Sequence, residues 1–247
     1  MDLLNTAFLW THITAGFIGL TAYWIPIFAK KGGLNHRRFG KIFVNAGYVV
    51  VAAAVLSIST RAVRYGMNGK TFEQLQSFWG FAIFLLYLSL VTFVSLRFAV
   101  IVLREKKDPV RLGTAFNKAL GYGAIAGSLA VIAYALIIQP PVMVVLLALS
   151  PIGLLVGPQI LAYFKGKETS KRAWWYSHMG AMIGAGIAFH TAFLVFGATR
   201  LFDIGISGPL AFVPWVLPTL IGVPANIIWE RYYRRKFNDP KGGSVAA

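Results

Sequence analysis

The chain alternates long uncharged segments with short segments rich in Lys and Arg. A transmembrane helix needs about 20 mostly apolar residues to cross roughly 30 Å of hydrocarbon. Measured against that length, these long apolar segments predict crossings at residues 4–29, 42–60, 76–100, 117–138, 142–164, 174–198 and 206–229. The pattern therefore predicts an all-α fold, a polytopic bundle of seven transmembrane helices in one domain.

Prolines divide or bend two of these segments. The uncharged run from Ala119 to Phe164 would extend roughly 69 Å as one helix, more than twice the membrane thickness. Pro140 and Pro141 lie near its middle and disfavour helix there, so we expect the chain to reverse at that point. In the last span, Pro209, Pro214, Pro218 and Pro224 predict a kinked seventh helix.

The basic residues are concentrated in alternate loops. Of the 24 Lys and Arg residues, 19 lie in segments 30–41, 104–118, 165–172 and the tail 230–247. Because loops rich in Lys and Arg stay in the cytoplasm, the pattern predicts an external N terminus, a cytoplasmic C terminus and a cytoplasmic basic tail. The net charge of +16 then reflects topology and attraction to anionic lipid headgroups, so nucleic-acid binding is not expected.

The lack of cysteine and the positions of the acidic residues restrict the chemistry that the chain can perform. The chain has no cysteine, which excludes disulfides, thiolate metal ligands and thiol nucleophiles. All eight Asp and Glu residues lie outside the predicted spans. This pattern argues against a proton pump, which usually needs an intramembrane acid, and against a zinc hydrolase, which needs a base beside its metal.

Histidines are the most informative polar residues. The predicted topology places His12 and His190 in the outer half of the first and sixth helices, and His36 and His178 near the inner face. If these two helices are neighbours, each level holds two imidazoles, which predicts a site for haem b or a transition metal ion. Twelve residues separate His178 from His190, about 120° around a helix, so two stacked porphyrins on one face are not expected.

Small and polar residues near the histidines are further candidates. Gly16 and Gly19 follow His12 along its helix, with Tyr23 beyond them, and leave room for a flat ligand or another helix. Similar glycine pairs predict close helix packing: Gly123 with Gly127, Gly153 with Gly157, and Gly180 with Gly184. The structural alternative is that each histidine donates to a backbone carbonyl or a Thr hydroxyl and binds no cofactor.

Other polar residues in the predicted spans are expected to make contacts that are common in membrane proteins. Arg97 is expected to extend its charge to the inner interface or to pair with a cofactor carboxylate or a lipid phosphate. Gln159 and Asn226 are expected to hydrogen-bond across helices. Tyr23 is expected to anchor its helix at the membrane interface, as aromatic residues commonly do.

Three segments carry a resemblance to a known family. The stretches "THITAGFIG", "KKGGLNHRRFGKIFV" and "WWYSHMGAMIGAGIAFHTAFLVFG" resemble the bacterial membrane proteins grouped as domain of unknown function 2306. The resemblance implies a multi-pass bundle in the bacterial cytoplasmic (inner) membrane. It places His12, His36, Arg37, Gly40 and His178 at motif positions. It implies no reaction, and it does not extend to His190.

Three functions remain open. The first is a haem- or metal-binding protein of membrane electron transfer, with a quinone or another electron-transfer partner. The second is a small-molecule or lipid transporter with structural or proton-sensing histidines. The third is an enzyme that acts on a lipid headgroup near His36 and His178, although no nucleophile stands beside them. Neither the substrate nor the oligomeric state is predicted.

Overall fold

The chain is helical in the computed structural model, which describes residues 3–71, 73–140, 143–166, 170–198, 201–202 and 212–239. The α-helices in that part are α1 (Leu3–Phe28), α2 (Leu34–Met67), α3 (Gln76–Ile101), α4 (Ala115–Ile138), α5 (Met143–Leu149), α6 (Pro151–Phe164), α7 (Ala173–Ala192) and α8 (Val213–Lys236). Short 3₁₀ helices occupy Glu73–Leu75 and Pro109–Leu112, and α7 continues as a π-helical segment, Phe193–Ala198. The described residues contain no strand.

Six helical stretches are long and apolar enough to cross a membrane. They are Leu3–Phe28, Leu34–Met67, Phe78–Ile101, Ala115–Ile138, Met143–Phe164 and Ala173–Ala198. The chain is therefore a multi-pass membrane protein, as the sequence predicts. The predicted seventh span overlaps α8, but residues 203–211, including Pro209, lie outside the described residues.

Two helices extend beyond the predicted ends of their membrane spans, because charged residues continue the helix. Helix α2 begins at Leu34 rather than at residue 42, so Arg37 lies in a helix and not in a loop. Helix α8 continues to Lys236, so the first part of the predicted tail is also helical. The reason is that Lys and Arg end a membrane crossing but are good helix formers.

The predicted fifth crossing is broken in its middle. Helix α5 ends at Leu149 and α6 begins at Pro151. Pro151 has no N–H to donate to the carbonyl of Leu147, and the hydroxyl of Ser150 donates to that carbonyl instead, at 3.2 Å. Pro158 lies inside α6 without ending it.

The chain divides into two compact units, and helices α3, α4 and α6 each contribute residues to both. The first unit comprises Met1–Val94 and Leu120–Pro158. In it, α1 and α2 form an antiparallel hairpin. The hydroxyl of Thr60 donates to the amide oxygen of buried Asn5 at one end (2.8 Å), and Pro26 lies beside Gly40 at the other.

The second unit comprises Ser95–Ala119 and Gln159–Ala247. In it, α7 and α8 pack antiparallel along their length. The ring of Trp175 contacts that of Tyr233 near one end, and Phe196, in the π-helical segment, contacts Trp215 near the other, both with centroids 5.5 Å apart. These contacts fix the register of the two helices.

Glycine allows the closest helix approach, between α4 and α6 in the first unit. A Cβ on Gly153 would overlap the carbonyl oxygen of Ala124, and one on Gly157 would lie 2.6 Å from the carbonyl oxygen of Gly121. This prediction of close packing is confirmed. At Gly184 close packing is not met within the described part of the chain, where no residue lies within 4 Å of the position of a Cβ. The same holds at Gly16, which is predicted to leave room for a ligand or another helix.

We expect Gly153→Ala to destabilise the protein by about 1–3 kcal/mol, because the added methyl group overlaps backbone that cannot move independently. Gly184→Ala is the matched control, and it should be neutral or slightly stabilising because its Cβ enters open space in a helix interior. The apparent melting temperature in detergent, measured by size-exclusion chromatography after heating, separates the two. Equal melting temperatures would contradict the close α4–α6 contact.

Candidate functional site

All four histidines use Nδ1 in the same way. Each Nδ1 lies within hydrogen-bond distance of a backbone carbonyl oxygen: His12 with Val50 (3.0 Å), His36 with Pro26 (3.2 Å), His178 with Ala99 (2.8 Å) and His190 with Gly186 (2.7 Å). A carbonyl oxygen can only accept, so Nδ1 carries the proton in each bond. In a neutral ring with this tautomer the lone pair is on Nε2.

His36 and His178 bond to carbonyls near helix ends. Pro26 lies in the last turn of α1, where carbonyls have no intrahelical donor. Ala99 lies in the last turn of α3, and the amide of Leu103 donates to Val100 and not to Ala99. Both imidazoles therefore cap helix C termini, which is a sufficient structural reason for their presence.

Lys31 completes the cap of α1. Its Nζ donates to the carbonyls of Pro26 (2.8 Å) and Ile27 (2.5 Å). Burial lowers the pKa of Lys31, because the ammonium loses part of its hydration there. The basic segment before α2 therefore has a structural function in addition to its contribution to topology.

His12 differs from the capping histidines, because its acceptor is not at a helix end. Val50 lies well inside α2, where its carbonyl already accepts an intrahelical bond. The His12 ring is half-buried and links α1 to α2. One turn further along α1, Gly16 has no neighbour within 4 Å of where a Cβ would be. This holds for the described part of the chain, and Gly19, one turn further still, is buried.

His190 bonds to a carbonyl of its own helix, one turn earlier in α7. The π-helical segment begins at Phe193, three residues later. Such segments are rare and occur frequently at functional sites. Nearby Thr191 is buried. His190 is thus the second histidine whose hydrogen bond does not cap a helix end.

The four histidines are distributed over both units. His12 and His36 belong to the first unit, and His178 and His190 to the second. The predicted pairs, His12 with His190 and His36 with His178, each join one unit to the other and stay predictions. Among the described residues, no three or more His, Cys, Asp or Glu side chains form a group that could hold a metal ion.

Arg97 has partners within the protein. Its Nε donates to the side-chain oxygen of buried Asn117 (2.9 Å), and its guanidinium lies over the ring of Phe116, 4.9 Å from the centroid. The Asn117 amide in turn donates to the carbonyl of Leu112 (2.7 Å). Arg97 thus connects α3 to the start of α4.

The other polar residues singled out from the sequence lie in different surroundings. Tyr23 packs its ring against buried Phe43, with centroids 5.2 Å apart. Arg37 and Gln159 are exposed, so Gln159 is not a buried link between helices. The oxygen Oδ1 of Asn226 is buried without a hydrogen-bond partner within the described part of the chain, as is Nε1 of Trp175. Asn226 lies against Gly180, with Nδ2 3.5 Å from where a Cβ would be.

A buried hydroxyl cluster at the break between α5 and α6 was missed by sequence reasoning. The Tyr87 hydroxyl donates to the carbonyl of Ser150 (2.7 Å) and accepts the N–H of Gly153 (2.8 Å). The Ser128 hydroxyl donates to the same carbonyl at 2.6 Å. Ser128 and Ser150 have no exposed surface, and Tyr87 has 4%. The Ser150-Pro151 dipeptide was the one available signal, because Tyr87 and Ser128 stand in ordinary apolar stretches.

Comparison with known proteins identifies no relative. No protein-family model matches the chain, and no curated protein and no solved structure matches it. The resemblance to domain of unknown function 2306 stays a prediction.

We expect Tyr87→Phe to lower stability by about 1–3 kcal/mol, because it leaves the buried N–H of Gly153 without an acceptor. Tyr122→Phe, at an exposed position of α4, is the control and should leave stability unchanged. Thermal unfolding in detergent measures both. A Tyr87→Phe protein as stable as the parent would show that the cluster does not hold the broken helix.

Proposed function

We propose that this protein binds haem b through Nε2 of intramembrane histidines, with His12 as the leading ligand, and takes part in membrane electron transfer. The observation that carries the proposal is the bond from Nδ1 of His12 to Val50, which links two helices and is not needed to cap either. Histidines that ligate metals commonly donate their other ring N–H to such an acceptor, which fixes the tautomer and orients the ring.

Space beside His12 supports a flat ligand. Gly16, one turn away, leaves open volume on the side of α1 that carries the imidazole. His190 is the second candidate ligand, because its Nδ1 is also bonded to a carbonyl inside a helix and a π-helical segment follows it. His36 and His178 contribute less to the proposal, since capping already explains them.

The number of ligands favours haem b over a bare transition metal ion. A haem brings four nitrogen ligands of its own and needs one or two imidazoles from the protein. Protein sites for bare ions commonly use three or four side chains. The described residues gather no such group, and the chain has no cysteine.

We further propose seven crossings, an external N terminus and a cytoplasmic C terminus in a bacterial inner membrane. The apolar first part of α8 supports a seventh crossing, and three basic residues in its last turn, Arg234, Arg235 and Lys236, support a cytoplasmic end. A quinone or another membrane electron carrier would be the electron partner.

An optical spectrum of protein expressed with excess haem precursor tests the function. We expect a Soret band that shifts on reduction. His12→Asn should abolish the band without unfolding the protein, because the Asn amide can still donate to Val50 but has no basic nitrogen at the position of Nε2. External imidazole should restore the band in His12→Gly.

His36→Asn is the matched control, since it removes an imidazole that caps a helix but leaves His12 intact. Its Soret band should be unchanged. A colourless parent protein that contains no metal by elemental analysis would contradict the proposal. So would a His12→Asn protein with an unaltered spectrum.

Transport is a second candidate function, favoured by the broken helix. Discontinuous membrane helices often border substrate sites in transporters, because unwound backbone supplies polar groups at membrane depth. The break between α5 and α6 carries the buried hydroxyls of Tyr87, Ser128 and Ser150. The prolines inside α8, Pro218 and Pro224, provide a second site where backbone carbonyls lack intrahelical donors.

The lack of native cysteine allows a direct test of this alternative. Ser150→Cys places a thiol at the break, and a charged, water-soluble thiol reagent reaches it only if the break opens to water. If transport is the function, we expect labelling in membranes; a sealed structural break predicts none. Thr114→Cys, at an exposed position, is the positive control, and Ala135→Cys, fully buried in α4, is the negative control.

A further inference from the structure

One end of the second unit carries an unusual concentration of positive charge. Eleven exposed Lys and Arg side chains lie in the described parts of segments 104–118, 165–172 and 231–236; we call this surface the basic face. Contacts join the three segments: Lys106 lies over the ring of Trp174, Val110 lies against Gly166, and the Ser170 hydroxyl donates to Asp239 beyond the end of α8. The charges therefore belong to one surface.

The four acidic side chains that the structure describes at this end are already paired within the protein. The carboxylate of Glu230 pairs with buried Arg234 (2.8 Å), and Asp239 accepts hydrogen bonds from the hydroxyls of Ser170 and Tyr176. The Glu105 carboxylate accepts the backbone N–H groups of residues 107 and 108, which lower its pKa and keep it charged.

The fourth acid, Asp108, accepts the N–H of Val110 and pairs with Arg111 at 3.3 Å. Arg111 is the one member of the basic face with an ion pair among the described residues. Most of the charge on the basic face is therefore not neutralised by the described part of the chain.

Aromatic rings lie directly beneath three of these cations. Lys106 lies 4.3 Å from the centroid of Trp174, and Arg172 lies 4.3 Å from that of Phe237. Lys236 lies 5.7 Å from the centroid of Tyr232. Aromatic residues at the ends of membrane helices occupy the level of the lipid headgroups. Cations that lie over such rings are therefore at the level of the phosphates.

We propose that the basic face binds the phosphates of anionic phospholipids in the adjoining leaflet. Charge complementarity supports this occupant, and so do two exposed apolar residues among the cations, Val110 and Phe116, which suit the boundary between headgroups and acyl chains. A soluble acidic protein would have to displace headgroups to reach the same cations. Each basic residue near such a surface contributes about fivefold to lipid affinity.

Titration of the detergent-purified full chain with phosphatidylglycerol tests the proposal, with phosphatidylcholine and inorganic phosphate as separate arms. We expect phosphatidylglycerol alone to raise the melting temperature, and 1 M salt to weaken this effect, since salt at about that concentration screens charges beyond roughly 3 Å. Equal effects of the two lipids would overturn the proposal. An equal effect of inorganic phosphate would indicate a free-phosphate site instead.

A triple variant locates the effect. Lys107→Gln, Lys171→Gln and Arg235→Gln together remove three exposed cations that make no described contact with an aromatic ring. We expect roughly a hundredfold weaker apparent affinity for phosphatidylglycerol, with the lipid-free melting temperature unchanged. The charge-conserving variant Lys107→Arg, Lys171→Arg and Arg235→Lys should retain the parent affinity.

The matched control has the same change in net charge elsewhere. Arg61→Gln, Arg64→Gln and Lys70→Gln lie in the first unit and are exposed. This variant should bind phosphatidylglycerol as the parent does. Equal losses in both Gln variants would overturn the basic face as the site, and no loss in either would overturn it as well. If the first variant is aggregated on gel filtration, the salt dependence and the lipid comparison of the parent still decide the outcome.

Discussion

Backbone hydrogen bonding within the bilayer is the constraint on which the rest of this structure depends. Hydrocarbon offers no partner for an N–H or C=O group, so every interruption of a membrane helix must be compensated inside the chain. At Pro151 the hydroxyls of Ser150, Tyr87 and Ser128 bond to the backbone groups around the break. At the end of α1, Lys31 and His36 do the same for the carbonyls that have no intrahelical donor.

The same constraint separates the histidines into two kinds. His36 and His178 cap helix ends, so the structural interpretation is sufficient for them. His12 and His190 donate to carbonyls inside helices, which already have a partner. An imidazole placed in a membrane without a backbone requirement is expensive and is commonly functional. The orientation of His12 and the open volume at Gly16 are therefore the basis of the proposed cofactor site.

The sequence predicts the spans well because apolar length is a direct physical requirement of the bilayer. It predicts helix ends less well, since the basic residues of α2 and α8 end the apolar stretch but not the helix. It does not distinguish Pro151, which separates two helices, from Pro158, which lies inside one. The carbonyl partners of the imidazoles, such as Ala99, are ordinary apolar residues, so only tertiary packing reveals them.

The tautomer of the histidines tests this account most directly. In protein labelled with ¹⁵N-histidine, long-range ¹H–¹⁵N correlation distinguishes rings protonated at Nδ1 from rings protonated at Nε2, and His→Asn variants assign each signal. Bonds from Nδ1 to backbone carbonyls predict a proton on Nδ1 for both His12 and His178. A proton on Nε2 of His12 would place a lone pair against the carbonyl of Val50 and would contradict both the helix link and the proposed ligand atom.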